Sequence, residues 1–131
     1  MTSIDAIIQR LVDEGVGVRG TTIFAGTESD LPTADSGFIT VLETGGRPPI
    51  GTHNEGPTAL RQPSFQITAR AGKYRVARNL AEQVHTALTF SNLQIGDRFF
   101  LYAAPMQEPF SLPNDANGRV RVAVNIETTH R

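Results

Sequence analysis

Two stretches of the chain alternate strictly between apolar and polar side chains, and this pattern limits the possible folds most strongly. The apolar members are Phe65, Ile67 and Ala69 in residues 63–70, and Val120, Val122, Val124 and Ile126 in residues 119–128. Arg119 and Arg121 fall on the polar side of the second stretch. Such alternation is typical of antiparallel strands that pack one face against a core and expose the other face to water.

Two other segments repeat apolar residues at helical spacing. Residues 4–14 follow Ser3, which we predict as the N-cap, and precede Gly15, which suits the C′ position. Residues 74–89 carry a stronger apolar stripe, formed by Ala77, Leu80, Ala81, Val84, Ala87 and Leu88. Each predicted helix therefore has one apolar face to bury.

Further strands are predicted over residues 21–25, 38–42, 98–105 and 107–113. Residues 114–118 read as a hairpin turn, because Asn-Gly supplies positive φ at low cost. The order of elements predicts an α+β fold, in which two helices pack on one face of a single mixed, mostly antiparallel sheet. We expect one domain over residues 1–131, since domains of this length are common.

Residues 44–62 do not fit this scheme. They contain four Gly and three Pro and almost no apolar side chain. Long loops without regular structure are uncommon in compact domains and are usually functional or disordered. We therefore predict a long flexible loop at about 44–62 that a partner orders.

The composition excludes several classes of protein. Twelve Lys and Arg against thirteen Asp and Glu give a net charge of −1, whereas dedicated nucleic-acid binders are usually strongly basic. The absence of Cys excludes disulfides and thiolate chemistry. No apolar run has the length of a membrane span, and the first residues do not resemble a signal peptide. We expect a protein that folds in the cytoplasm.

No motif for catalysis or metal binding stands out. The three histidines, which share no metal-ligand spacing and which we interpret as surface residues, are His53, His85 and His130. Ser64 lacks the strained elbow of a nucleophile. Gly45-Gly46-Arg47 lacks the Lys and hydroxyl residue of a phosphate loop. The segment around Asp115 has Pro113 and Val124 where a calcium loop needs ligands. We predict a plain turn at Asp115.

Charge is unevenly distributed along the chain. Arg70, Lys73, Arg75 and Arg78 form a basic cluster at the start of the second helix, where cations oppose the helix dipole. The cluster is either a solvated face or a partner surface for carboxylates or phosphates. Residues 1–60 hold three basic and eight acidic residues, and residues 61–131 hold nine and five. This division suits head-to-tail contact between copies, although chance clustering explains it equally well.

Three strings of residues together resemble a known family. They are Phe38 to Gly46 (FITVLETGG) followed by Pro48, Pro63 to Ala71 (PSFQITARA) followed by Tyr74 and Ala77, and Pro109 to Asn125 with Asp115, Gly118-Arg119, Val122 and Val124. In this order and spacing, the chain resembles the tail terminators of long-tailed bacteriophages, a family also labelled minor capsid proteins. The resemblance covers residues 23–127 and, weakly, the first helix.

The resemblance implies a structural, non-enzymatic subunit of a ring that is typically hexameric and needs no cofactor. Such a ring caps the finished tail tube, stops polymerisation of the tail tube protein, and offers a joining surface to the head–tail connector protein. The implied location is the head-proximal end of the virion tail, after assembly in the host cytoplasm. DNA would pass through the lumen without specific binding, and no membrane is involved.

The resemblance also implies roles for matching residues. Gly45 to Pro48 correspond to the loop after the second strand, which reaches a neighbour or the tube, and Arg70 and Tyr74 correspond to the strand-to-helix junction. With the loop and the basic cluster included, the predicted subunit or tube contacts are Gly45, Gly46, Arg47, Pro48, Pro49, His53, Glu55, Arg70, Lys73, Tyr74, Arg75 and Arg78. The predicted structural turn comprises Asp115, Asn117, Gly118 and Arg119.

Other interpretations are compatible with the residues. A head-completion or connector (neck) protein of similar size would carry the same pattern of elements. A generic intracellular protein-binding module, such as an inhibitor of a host enzyme, is a second alternative. A small hydrolase is a third, and it would place His85 or His53 in a pocket beside a carboxylate or hydroxyl group.

Overall fold

The computed structural model of the protein describes residues 1–26, 36–50 and 60–131. Within these residues, helix α1 spans Ser3–Asp13 and helix α2 spans Tyr74–Ala87. The strands are, in chain order, β1 (Ile23–Ala25), β2 (Phe38–Glu43), β3 (Arg47–Ile50), β4 (Leu60–Gln62), β5 (Ser64–Ala71), β6 (Phe90–Ile95), β7 (Arg98–Pro105), β8 (Phe110–Leu112) and β9 (Val120–His130). The fold is α+β, as the sequence predicts, with an open and mostly antiparallel sheet.

Strands β5 and β9 form the centre of the sheet. β5 pairs antiparallel with β2 and with β9, so that Ile67 lies between Val41 and Val124. β9 also pairs with β4, β7 and β8, and β6 joins the sheet through β7. β1 runs parallel to β2, which makes the sheet mixed. The pairings of β5 and β9 therefore set the alignment of the strands on either side of them.

The apolar face of these central strands is confirmed as the core. The buried side chains of β5, β9 and α2 include Phe65, Ile67, Ala69, Val122, Val124, Ile126, Ala77, Ala81 and Val84. α2 packs across β5 and β9, while α1 contacts α2, β1 and β2. Burial of a large aliphatic or aromatic side chain contributes about 1.5–3 kcal/mol, so this layer of helices on strands dominates the stability of the fold.

Helix α1 begins earlier than predicted, because Thr2 and not Ser3 is the N-cap. The Thr2 hydroxyl accepts a hydrogen bond from the Asp5 backbone N–H at 3.2 Å, and the Asp5 carboxylate accepts one from the Thr2 N–H at 3.0 Å. The Ser3 hydroxyl instead contacts Nε2 of His130 at 2.8 Å. Gly15 follows the helix with φ of +74°, as predicted for the C′ position.

Three strands lie where the sequence predicts none. β3 and β4 occupy parts of the predicted loop at 44–62 and pair with each other, and residues 51–59 lie outside the described residues. The sequence pattern does not predict β3 because the segment contains Pro48 and Pro49, and proline within a sheet is confined to edges and bulges. The sequence pattern does not predict β6 either, because the strand contains several polar side chains and an irregular residue, Asn92, whose φ is +52°.

In the described part of the chain, neither helix combines the length and the apolar character needed to cross a membrane.

Candidate functional site

The two strands inside the predicted loop form an arm at one end of the sheet. We call residues 47–50 and 60–62 the β-arm. Gly45 and Gly46 turn the chain from β2 into this arm with φ of +93° and +86°. A Cβ on Gly46 would lie 2.1 Å from the backbone oxygen of Gln62 and 2.7 Å from the nitrogen of Ser64, whereas a Cβ on Gly45 meets no atom within 4 Å. The position of the β-arm therefore requires glycine at residue 46.

Polar contacts hold the base of the β-arm against the sheet. Arg47 donates from Nη2 to the Tyr102 hydroxyl at 3.1 Å, and the same nitrogen lies 3.8 Å from a carboxylate oxygen of Glu127. The Gln62 side chain donates to the Pro48 carbonyl at 2.9 Å. Pro48 and Pro49 are exposed. His53 and Glu55, which are also predicted contacts, lie outside the described residues.

A shallow groove of about 460 Å³ runs beside the β-arm, on the sheet face opposite the helices. Its floor includes Gln66, which donates to the side chain of Asn125 at 3.2 Å. The remaining lining residues are Thr44, Gly46, Arg47, Ser64, Met106 and Glu127. Sequence reasoning missed this groove, because Gln66 and Asn125 become neighbours only through the β5–β9 register.

The other end of that face is closed by charged groups packed on an aromatic ring. Asp115 Oδ2 lies 2.8 Å from Arg119 Nε and 3.6 Å from Arg70 Nη1. The Arg119 guanidinium lies over the Phe38 ring, which meets the Phe24 ring edge-on at 5.9 Å. Arg119 is only 4 % exposed, so the prediction that its side chain points into water is wrong. Arg119 is buried because Asp115 neutralises it and Phe38 covers it.

Asp115 also closes the predicted hairpin turn, which is confirmed. Its Oδ1 accepts from the backbone N–H groups of Asn117 and Arg119 at 3.0 and 2.9 Å, and Gly118 has φ of +76°. Burial acts to raise the pKa of Asp115, but the hydrogen bonds and charge of Arg119 outweigh it and hold that pKa below its usual value. The carboxylate is thus a fixed structural anion.

The predicted basic cluster at the start of α2 is divided by the fold. Arg70 turns toward Asp115, and Arg78 donates to Glu82 at 3.0 Å and to the Pro109 carbonyl at 2.9 Å. Lys73 and Arg75 remain exposed, together with Tyr74, which is 52 % exposed. The part of the cluster that a partner can reach is therefore 73–75.

One histidine contradicts the expectation of surface positions. His130 is fully buried, with its ring 5.0 Å from that of Phe100 and its Nδ1 2.9 Å from the carbonyl of Arg131. Burial lowers the pKa of His130 below its usual value. Its contact with Ser3 joins α1 to β9 and involves no carboxylate. Among the residues that the structure describes, no group of His, Asp and Glu is arranged to hold a metal ion.

Comparisons with known proteins identify a family and a similar fold. The family model described as "Bacteriophage tail terminator protein" matches residues 10–130. A chain of a solved structure entitled "Virion of native gene transfer agent (GTA) particle" has a similar fold, with a TM-score of 0.63 and 13 % sequence identity over 96 % of this chain and 92 % of that one. No curated protein sequence matches. The match over nearly all of the sequence shows that this chain belongs to the bacteriophage tail terminator protein family, and hence to the structural proteins of phage virions.

Proposed function

We propose that the protein is a ring-forming tail terminator, in which a ring, typically of six copies, caps the head-proximal end of the tail tube. The observation that carries this proposal is the family match over residues 10–130. Capping would stop addition of the tail tube protein, and the free side of the ring would provide the joining surface for the head–tail connector protein. The protein would act by assembly, without catalysis or a cofactor.

The β-arm and its groove support a role in tube contact. The β-arm lies at one end of the sheet, and its residues Arg47, Pro48 and Pro49 are exposed. The turn at Gly46 and the hydrogen bond from Arg47 to Tyr102 fix where the arm begins. The adjacent groove presents amide and hydroxyl groups together with Met106, which is 56 % exposed. Polar groups rimming an exposed apolar side chain are typical of interfaces between separately folded proteins. We assign the tube contact to this end of the subunit, including Gly45, Pro48 and Pro49; His53 and Glu55 stay predicted contacts outside the described residues.

The near-neutral net charge is compatible with DNA passing through the ring without specific binding. A net charge of −1 creates no strong attraction for phosphate groups. Basic side chains facing the lumen would suffice to offset repulsion locally. We therefore expect no measurable affinity for free duplex DNA at physiological salt.

The proposal is tested by adding the purified protein to assembling tail tubes and measuring tube lengths by electron microscopy. The expected result is a ring at one end of each tube and no further growth from that end. A matched pair of variants, Arg47→Ala and Arg98→Ala, tests the β-arm, because both arginines are surface residues tied by hydrogen bonds but only Arg47 lies in the arm. Loss of capping is expected for Arg47→Ala alone.

Two outcomes would contradict the proposal. A protein that stays monomeric and also fails to bind tubes is not a terminator. A protein found only at the portal end of particles, by labelling in electron micrographs, is a head-completion or connector protein instead.

A further inference from the structure

Two exposed surfaces of opposite charge lie near opposite ends of α2. The first, the α2 patch, consists of Lys73, Tyr74 and Arg75. The second, the helix-end cleft, has a volume of about 320 Å³ and is lined by Glu14, Val16, Glu82, Gln83, Thr86 and Ala87. The two surfaces have opposite properties. The α2 patch presents cations around an aromatic ring, and the helix-end cleft is a recess with carboxylates at its rim.

Among residues 1–26, 36–50 and 60–131, which the structure describes, no residue pairs with the α2 patch. Lys73 and Arg75 form no ion pair in the described structure, and Lys73 occupies the N-cap of α2 without a side-chain hydrogen bond. The first turn of α2 contains no acidic residue, so these cations face the positive end of the helix dipole, which repels them. An acidic partner would relieve this repulsion.

The helix-end cleft offers such a partner. Glu14 and Glu82 are each about half exposed, at 43 % and 49 %, and no residue lining the cleft is basic. Each carboxylate already meets one arginine, Arg10 or Arg78, but an ionised carboxylate has about four acceptor sites and can bind a second cation. Val16 and Ala87 give the cleft an apolar wall against which an aromatic ring can pack.

The patch and the cleft cannot meet within one subunit. Tyr74 and Thr86 lie twelve residues apart on the same straight helix, a separation of about 18 Å along its axis. The α2 patch can therefore contact a helix-end cleft only on another copy. Because the two surfaces differ, each copy can use both at once, one toward each neighbour. Such a heterologous contact repeats from copy to copy and closes into a ring when the rotation allows.

We infer that the α2 patch of one subunit docks in the helix-end cleft of the next copy, with Tyr74 against the apolar wall and Lys73 and Arg75 beside Glu82 and Glu14. This inference rests on the proposed function in one respect, which is that the repeated contacts close into a ring. It leaves the β-arm end of each subunit available to the tail tube.

A charge-swap experiment tests the inference. Variant P carries Lys73→Glu and Arg75→Glu, and variant C carries Glu14→Lys and Glu82→Lys. Each variant alone is expected to lose self-association in native mass spectrometry, and to lose rings on tail tubes. A mixture of P and C is expected to recover oligomers in which the two alternate at a 1:1 ratio, since both new pairings are again of opposite charge. Circular dichroism checks that each variant folds.

Cysteine cross-linking supplies a second readout, since the natural chain contains no Cys. A mixture of Tyr74→Cys and Thr86→Cys subunits is expected to form disulfide-linked dimers on oxidation, alone or on tail tubes. The control replaces Thr86→Cys with Ser91→Cys, which lies on an exposed position of β6 and should give no cross-link. Raised salt should weaken the wild-type contact, because exposed charges are screened.

The outcomes separate this inference from the proposed function. If variant P caps tubes and assembles as the wild type does, or if no cross-link forms in assembled rings, the inference is overturned while the terminator role stands. If P and C restore each other's assembly but no form of the protein binds tubes, the terminator role is overturned and the contact stands. A wild-type protein that neither self-associates nor binds tubes overturns both.

Discussion

The guanidinium carbon of Arg119 lies 4.7 Å from the centroid of the Phe38 ring. This contact joins the residue just before β9 to the first residue of β2, two strands that are separated in the sheet by β5. With Asp115 on its other side, Arg119 closes one end of the sheet face that the helices leave uncovered. The opposite end of the same face stays open as the groove beside the β-arm.

Removing Asp115 should destabilise the protein strongly. Asp115→Ala leaves Arg119 buried without its 2.8 Å carboxylate partner and also removes the hydrogen bonds that close the turn. Loss of one partner of a buried ion pair costs about 3–5 kcal/mol, and urea unfolding would measure it. Glu82→Ala is the control, since its pairing with Arg78 is exposed and contributes only about 0.3–0.5 kcal/mol. Equal effects of the two substitutions would contradict this account of the cluster.

Gly46 should tolerate substitution far less well than its neighbour Gly45. Both have positive φ, so alanine at either costs more than about 1 kcal/mol, but only Gly46→Ala forces a Cβ against the backbone of Gln62 and Ser64. We expect a greater loss of stability for Gly46→Ala and faster hydrogen exchange in β3 and β4. Similar exchange rates in Gly45→Ala and Gly46→Ala would show that the steric contact does not position the β-arm.

Mild acid should destabilise the protein through His130. Because burial lowers the pKa of His130 in the folded state, the unfolded chain binds a proton first as pH falls below about 6.5. Stability contributed by the neutral ring is therefore complete above pH 6.5 and is lost as the pH falls toward the folded-state pKa. Thermal unfolding between pH 7.5 and 5 would show this slope, and His130→Gln should reduce it. An equal slope in His130→Gln and in the unsubstituted protein would contradict this account of His130.

Stronger acid should loosen the start of α1. The backbone and side-chain hydrogen bonds of Thr2, followed by that of Arg19, lower the pKa of Asp5 to about 2. The capping box therefore contributes fully above the unfolded-state pKa of about 4 and is lost as pH falls toward 2. Chemical shifts of Asp5 would report the pKa directly. Thr2→Ala should raise this pKa and cost about 1 kcal/mol, whereas Thr21→Ala should leave the pKa of Asp5 in place.

The sequence predicted the central part of the fold because local patterns decide it. The alternating apolar side chains of β5 and β9 and the helical stripes of α1 and α2 each mark the face that meets the core. Element ends were less predictable. Ser3 and Thr2 are both good N-cap residues, but Asp5 follows Thr2 by three residues and completes a capping box with it, while Ser3 contacts His130, far away in the sequence.

The polar features of the candidate site were beyond local patterns. Arg119 has the alternation of a solvent-facing residue, and its burial follows from Phe38 and Asp115, which the β2–β5–β9 arrangement brings together. The basic cluster looks continuous in sequence, but helix geometry turns Arg78 toward Pro109 and leaves Arg75 outside. His130 is buried because β9 continues past the predicted end of its alternation.

The two prolines of β3 limit how the β-arm can contact other proteins. Proline has no backbone N–H, so the outer side of residues 48–49 cannot donate the main-chain hydrogen bonds with which a foreign strand would extend a sheet. In the proposed ring, neighbouring copies would thereby be kept from joining edge to edge through their arms. The tube contact proposed for this end would then be carried by side chains, which would make it specific to one partner surface and open to change by single substitutions.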